Sequence, residues 1–238
     1  MPGMWFAPFI CGKESRLFRE RYEWLLRDSS GALISMECRW GEVYALDTRN
    51  VEVRSYVLEV MQTMTREWGF RLLKADFLYG ACMHPHSGLN RGQLMADAVD
   101  LLRKGVGDDV LIIGCGVPLG SAFGRLDYCR IGPDVGFDGE GMPRAKLPHR
   151  GRAPMKNSLG NTYARAPLDG RAFGIDPDVF SLSDDVKLAD YRRDELLFAN
   201  ADLGRVLLTS DDMGSWGKAA RERFLQALKV VAERGAVG

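Results

Sequence analysis

The sequence predicts an α/β fold organised on a parallel sheet, and two features of the chain point there. Short apolar segments of strand length alternate with amphipathic segments of helical period, a pattern that favours parallel strands joined by right-handed crossovers. Polar residues also recur at the carboxyl ends of the apolar segments, where parallel α/β folds place their chemistry.

The elements run in order along the chain. "MWFAPF", Met4 to Phe9, reads as a buried strand, with Trp5 in its core. "ESRLFRERYEWLLRD" after it sets Phe18, Tyr22, Leu25 and Leu26 on one helical stripe. From Asn50, a predicted N-cap, Val53, Val57, Val60, Met61, Met64 and Trp68 recur at helical spacing until Gly69 stops the run. The strand "FRLLKADF" comes next, then a helix around Leu94, Ala98, Leu101 and Leu102, then the strands "DVLIIGCG" and "RLDYCRIG". A charged loop rich in glycine and proline is expected from Pro133 to about Pro154. Beyond it lie a helix near Ser158 to Ala166, a strand "RAFGID", a helix near Asp190 to Asn200 and a strand "RVLLTSDD". A final helix is expected to bury Ala220, Phe224, Leu228 and Val231. Five successive strands thus end in Lys74 and Asp76, Cys115, Arg130 and Asp134, Asp176 and Asp178, and Asp211 and Asp212.

Composition narrows the function. At 238 residues there is room for one large domain or two small ones. Thirty-two basic side chains balance 32 acidic ones, so no nucleic-acid or anionic-membrane partner is indicated. No apolar run reaches the length of about 18 residues that a membrane helix needs. The opening "MPGMWFAPFICGKESR" lacks the pattern of a signal peptide, and five irregularly spaced cysteines do not make a disulfide framework. Together these suggest a reducing, cytoplasmic setting.

Three chemistries compete. The glycine-rich turn in "DVLIIGCGVPLG" resembles the first motif of methyltransferases that bind S-adenosylmethionine, but such a turn should open a helix, and "VPLGSAFGRLDY" has Pro118, two further glycines and no helical period. His84 and His86 flank Pro85 in a loop with no second ligand pair at metal spacing, so they read as ordinary loop residues, as does His149; no metal or cofactor is called for. Paired carboxylates fit better. A retaining glycosidase needs an ionised nucleophile and a proton donor about 5 to 5.5 Å apart. Asp76, with Lys74 two residues before it on the same strand face, suits the first role. Asp134 suits the second, with Arg130 four residues earlier able to bind a sugar hydroxyl or orient a carboxylate.

"PGMWFAPF", "YALDTRNVEVRSYV", "EWGFRLLKADFLYGA" and "GDDVLIIGCGVPLGSAFGRLDYCRIGPDVG" resemble, in this order, the melibiase-type α-galactosidases of glycoside hydrolase family thirty-six. In that family a Lys-x-Asp motif ends the fourth barrel strand, Gly-Cys-Gly-x-Pro the fifth, and Arg-x-x-x-Asp the sixth. Here Asp134 lies 58 positions after Asp76, in agreement with the family spacing. The resemblance is strongest from Pro2 to Gly136, and continues through "GIDPDVFSL" and "RVLLTSDDMGSW". It implies a (β/α)₈ TIM barrel in which residues 1–238 form a partial catalytic domain. It also implies Asp76 as nucleophile, Asp134 as general acid/base, and Lys74, Cys115 and Arg130 as sugar-binding residues, with Asp178 and Asp212 structural. The implied partner is an α-galactoside oligosaccharide or glycoconjugate.

Two departures qualify this. Met4 to Phe9 matches the family's third strand, so the first two β/α units, with an Asp pair that reads distal galactose hydroxyls, and the flanking β-domains lie outside the chain. A fragment or a late-started reading frame is the expectation, with a catalytically silent barrel that binds carbohydrate weakly as the alternative. Gly174 and Ile175 also stand where the family leads into an Asn.

Overall fold

The computed structural model describes residues 2–38, 40–137 and 152–235. The fold is α/β, and the chain divides into two compact units, Met1–Cys129 and Arg130–Gly238.

In the first unit, strands β1 (Gly3–Phe6), β2 (Ile10–Gly12), β3 (Ser35–Cys38), β4 (Gly41–Ala45), β5 (Leu72–Ala75), β6 (Leu111–Gly114) and β7 (Tyr128–Arg130) alternate with helices α1 (Arg16–Glu20), α2 (Val51–Gln62), α3 (Arg91–Val106) and α4 (Leu119–Ala122). β1 pairs in parallel with β5, β5 with β6 and β6 with β7. The crossovers α2 and α3 bury Val53, Val57 and Met61, and Leu94, Ala98 and Leu102, as their spacing predicts. Asn50 caps α2 through Glu52 N–H, and Asn90 and Gln93 close a capping box on α3. A π turn, Thr63–Glu67, extends α2 to Gly69, whose φ of +76° suits glycine.

Two expectations fail between Met4 and Ala45. The strand from Met4 to Phe9 breaks after Phe6, and the helix expected through Asp28 stops at Glu20. The chain forms a three-stranded antiparallel sheet there instead, in the order β2–β4–β3. Leu25 and Leu26 reach burial by pairing with the backbone of Leu46 and Ala45 rather than along a helix stripe. Asp28 builds the intervening turn, its carboxylate accepting from Ser30 and Ala32 N–H. The helical period of this segment was local, and the tertiary pairing overrode it.

The second unit holds β8 (Asp134–Gly136), β9 (Arg152–Pro154), β10 (Gly174–Asp176), β11 (Val179–Phe180) and β12 (Leu208–Thr209), with α5 (Met155–Arg165), α6 (Asp190–Leu203) and α7 (Lys218–Gly235). The loop expected from Pro133 thus contains a strand at each end, β8 and β9 pairing in parallel; its centre, with His149, lies outside the described residues. β10 lies against the start of this unit, where Ile131 N–H donates to Asp176 O. Phe180, Leu196, Leu197, Trp216 and Ala227 form the core, with Phe224 packed on it. On α7, Leu228 is exposed and Ala227 takes the buried place expected for it. Among the described residues, no helix is long and apolar enough to cross a membrane.

Candidate active site

The first unit places one carboxylate at the end of β5. Asp76 continues the strand's pairing, its N–H donating to Phe6 O. One carboxylate oxygen accepts from Phe77 N–H at 2.7 Å and the other from the Trp5 indole N–H at 3.1 Å. Two donors on two oxygens leave the group little rotational freedom. Phe77 itself has φ +52° and ψ +30°, a left-handed conformation uncommon for a bulky residue. It turns the chain sharply after Asp76, and Leu78 N–H then donates to Cys115 O. Cys115 is buried at the end of β6, and Gly116, with φ +72°, turns the chain close to the backbone of Phe77 and Leu78. The turn after β6 leads only to the four residues of α4, a poor nucleotide-binding helix.

Lys74 and Asp76 are both half-buried and share a face across Ala75. Trp5 corrects its sequence assignment: it is 45% exposed rather than core. An apolar run hides this, because indole is apolar in body but carries an N–H that seeks an acceptor. Trp40, at the β3–β4 turn, was not singled out in the sequence; its ring meets Trp5 edge-on at 5.8 Å and lies 5.3 Å from Phe77. His86 contacts Asp47 at 3.2 Å and the carbonyl of His84 at 3.0 Å, the local partners of a loop histidine.

In the second unit, three carboxylates meet the guanidinium of Arg130. Arg130, whose side chain is only 8% exposed, reaches Asp134 at 3.0 Å through Nη1, Asp176 at 3.3 Å through Nε and Asp178 at 2.6 Å through Nη2. Asp176 also accepts from Asp178 N–H, and Asp178 from Val135 N–H at 2.7 Å, which ties β8 to the segment after β10. Burial pushes the Asp178 carboxyl up from its ordinary range, Arg130 and the backbone donors pull it back, and Asp176 adds to the rise. Asp134 is the exception in this group, with its side chain 71% exposed. The Arg130 guanidinium thus reaches one solvent-facing carboxylate and two buried ones. Asp212 caps the turn at Gly214, and Asp211 binds Ser181, Leu182, Ser183 and Trp216, both structural tasks.

Set against solved structures, the chain resembles α-galactosidases. The α-galactosidase of Thermus thermophilus in complex with p-nitrophenyl α-galactopyranoside superposes with a TM-score of 0.83 at 28% identity, over 95% of this chain and 46% of that one. The same enzyme with stachyose gives 0.81 at 28%, over 94% and 48%. α-Galactosidase I of Mortierella vinacea shares the fold at a TM-score of 0.60 and 15% identity, over 82% of this chain and 48% of that one. The chain therefore spans about half the length of the structures it matches. No protein-family model matches it.

Proposed function

We propose that residues 1–238 carry the catalytic machinery of a retaining α-galactosidase of the family thirty-six type. Asp76 attacks the anomeric carbon while Asp134 gives its proton to the departing glycosidic oxygen, leaving galactose bound through an ester to Asp76. Asp134 then takes a proton from water, which attacks the same carbon and releases Asp76 as carboxylate. Lys74 and Cys115 serve the sugar subsite, and Arg130 holds Asp134 in place. The partner on this reading is an α-galactoside oligosaccharide or glycoconjugate, the class of ligand bound by the Thermus thermophilus enzyme.

The observation that carries this reading is the fixed carboxylate of Asp76: a half-exposed acid at a parallel strand's carboxyl end, oriented by two N–H donors, in the Lys-x-Asp motif. The order and spacing of Lys-x-Asp, Gly-Cys-Gly-x-Pro and Arg-x-x-x-Asp support the finer family assignment. The test is turnover of an aryl α-galactoside with the stereochemistry of the released sugar followed by NMR. Retention is expected, and Asp76→Ala should lose at least about a thousandfold in kcat. Inverted product, or an Asp76→Ala variant that still turns over at the wild-type rate, would overturn it.

A further inference from the structure

Trp40 is 64% exposed and sits at the β3–β4 turn, just before Gly41 with φ +100°. It is not a stray surface apolar residue. Its ring is fixed by two aromatic neighbours, Trp5 at 5.8 Å with an interplanar angle of 83° and Phe77 at 5.3 Å and 52°. Those are the two residues whose N–H groups hold the Asp76 carboxylate. The three rings and the carboxylate make a corner with an apolar wall and an acidic floor, all within the first unit.

A pyranose matches such a corner, because its C–H groups form an apolar face and its hydroxyls a polar rim; a plain hydrocarbon would not use the carboxylate, and a simple anion would be repelled by it. Position selects which ring. The Trp5 indole and the Phe77 backbone bond Asp76, whereas Trp40 packs on the rings of those two residues, one ring further out than Trp5. A terminal galactose is joined to other sugars on one side only, through the bond to be cleaved. A platform one ring removed from the nucleophile therefore meets the sugar that departs.

We propose that Trp40 is a stacking platform for the departing sugar of an α-galactosyl oligosaccharide and so sets preference among leaving groups. This rests on the α-galactosidase reading. The β2–β4–β3 sheet, whose β3–β4 turn bears Trp40, is then the element that carries specificity.

The test compares raffinose, whose leaving group is a sugar, with α-galactosyl fluoride, whose leaving group has nothing to stack. Trp40→Ala should lose about tenfold in kcat/KM on raffinose, mainly through KM, and no more than about twofold on the fluoride, the scale expected for one aromatic stacking contact with its buried area. Trp40→Phe should recover part of the raffinose loss. Equal losses on both substrates, or none on raffinose, would overturn the platform while leaving the hydrolase reading intact. A wild-type protein that cleaves neither substrate, yet is folded, would overturn the hydrolase reading instead. Calorimetry would then judge the platform alone: raffinose must bind the wild type about tenfold more tightly than Trp40→Ala, and equal affinity would sink it.

Discussion

The two carboxylates proposed for catalysis are held by opposite means. Asp76 is oriented by neutral dipoles, an indole N–H and a backbone N–H, on the end of a strand whose neighbours are apolar. Asp134 is oriented by a charge, and that charge is shared with two buried carboxylates. The difference suits the two tasks. A nucleophile has to keep one geometry and needs little change around it as it reacts. A proton carrier has to meet both the leaving group and the incoming water, and an exposed carboxylate held on one side by a guanidinium stays open to both.

Breaking the charged side should have the larger effect. Arg130→Met removes the guanidinium that contacts the buried Asp176 and Asp178, and removing one partner of a buried pair costs about 3–5 kcal/mol. Urea unfolding should show this as a large fall in midpoint, with the m-value little changed if the fold is otherwise kept. Native-like stability in Arg130→Met would mean that the network does not hold the second unit together.

Asp178→Asn sharpens the same side with a smaller effect. The Asp178 carboxyl is raised in the fold above its unfolded value near about 4, so the folded state binds more protons between those two values. Its contribution to stability is therefore fully present below the unfolded pKa and is lost as pH rises through the folded one. The wild type should lose stability relative to Asp178→Asn as pH rises through that window, in unfolding curves taken across it. Parallel stability curves for the two proteins across that window would show that Asp178 does not carry this dependence.

Sequence reasoning located these groups unevenly, for physical reasons. The strand-end positions of Lys74, Asp76, Arg130 and Asp134 were legible because motif spacing and strand alternation are both local properties. The α2 and α3 crossovers were legible through their 3.6-residue period and, for α2, the Asn50 cap. Asp176 and Asp178 could be placed at a strand end, but not at a guanidinium 46 and 48 positions earlier, because ion pairing across elements leaves no periodic trace. Trp5 and Trp40 were misjudged or missed for the reason that hydropathy counts indole as apolar and is silent on where its N–H points. The sheet of β2, β3 and β4 was missed because the segment from Glu14 to Asp28 was read as helix and no element was assigned to residues 29–49, whereas Leu25 and Leu26 bury themselves by strand pairing. The "DSSG" turn at Asp28 and the glycine of the β3–β4 turn, Gly41, were local signals for it.

The smallest expected effect probes the neutral side. Trp5→Phe keeps a ring between Asp76 and Trp40 but deletes the 3.1 Å hydrogen bond to the carboxylate, while Phe77 N–H continues to hold the other oxygen. Because Trp5 is half-exposed, stability should change by only about 0.5–1.5 kcal/mol. Turnover should suffer more clearly, by about tenfold in kcat, since a donor to a charged group is worth about 1.5 kcal/mol or more and each 1.36 kcal/mol is a factor of ten. The two steps of the reaction weigh this differently. In the first, losing the donor frees electron density on the attacking oxygen but lets the carboxylate swing, and the two partly cancel. In the second, the carboxylate is the leaving group, and the indole N–H steadies the charge that returns to it, so the loss is uncompensated. An aryl α-galactoside with a very acidic phenol makes this second step limiting, and the Trp5→Phe deficit should be larger there than with a poor leaving group. A deficit of the same size for both would assign Trp5 to holding Asp76 still, and no deficit at all would show that Phe77 N–H is sufficient by itself.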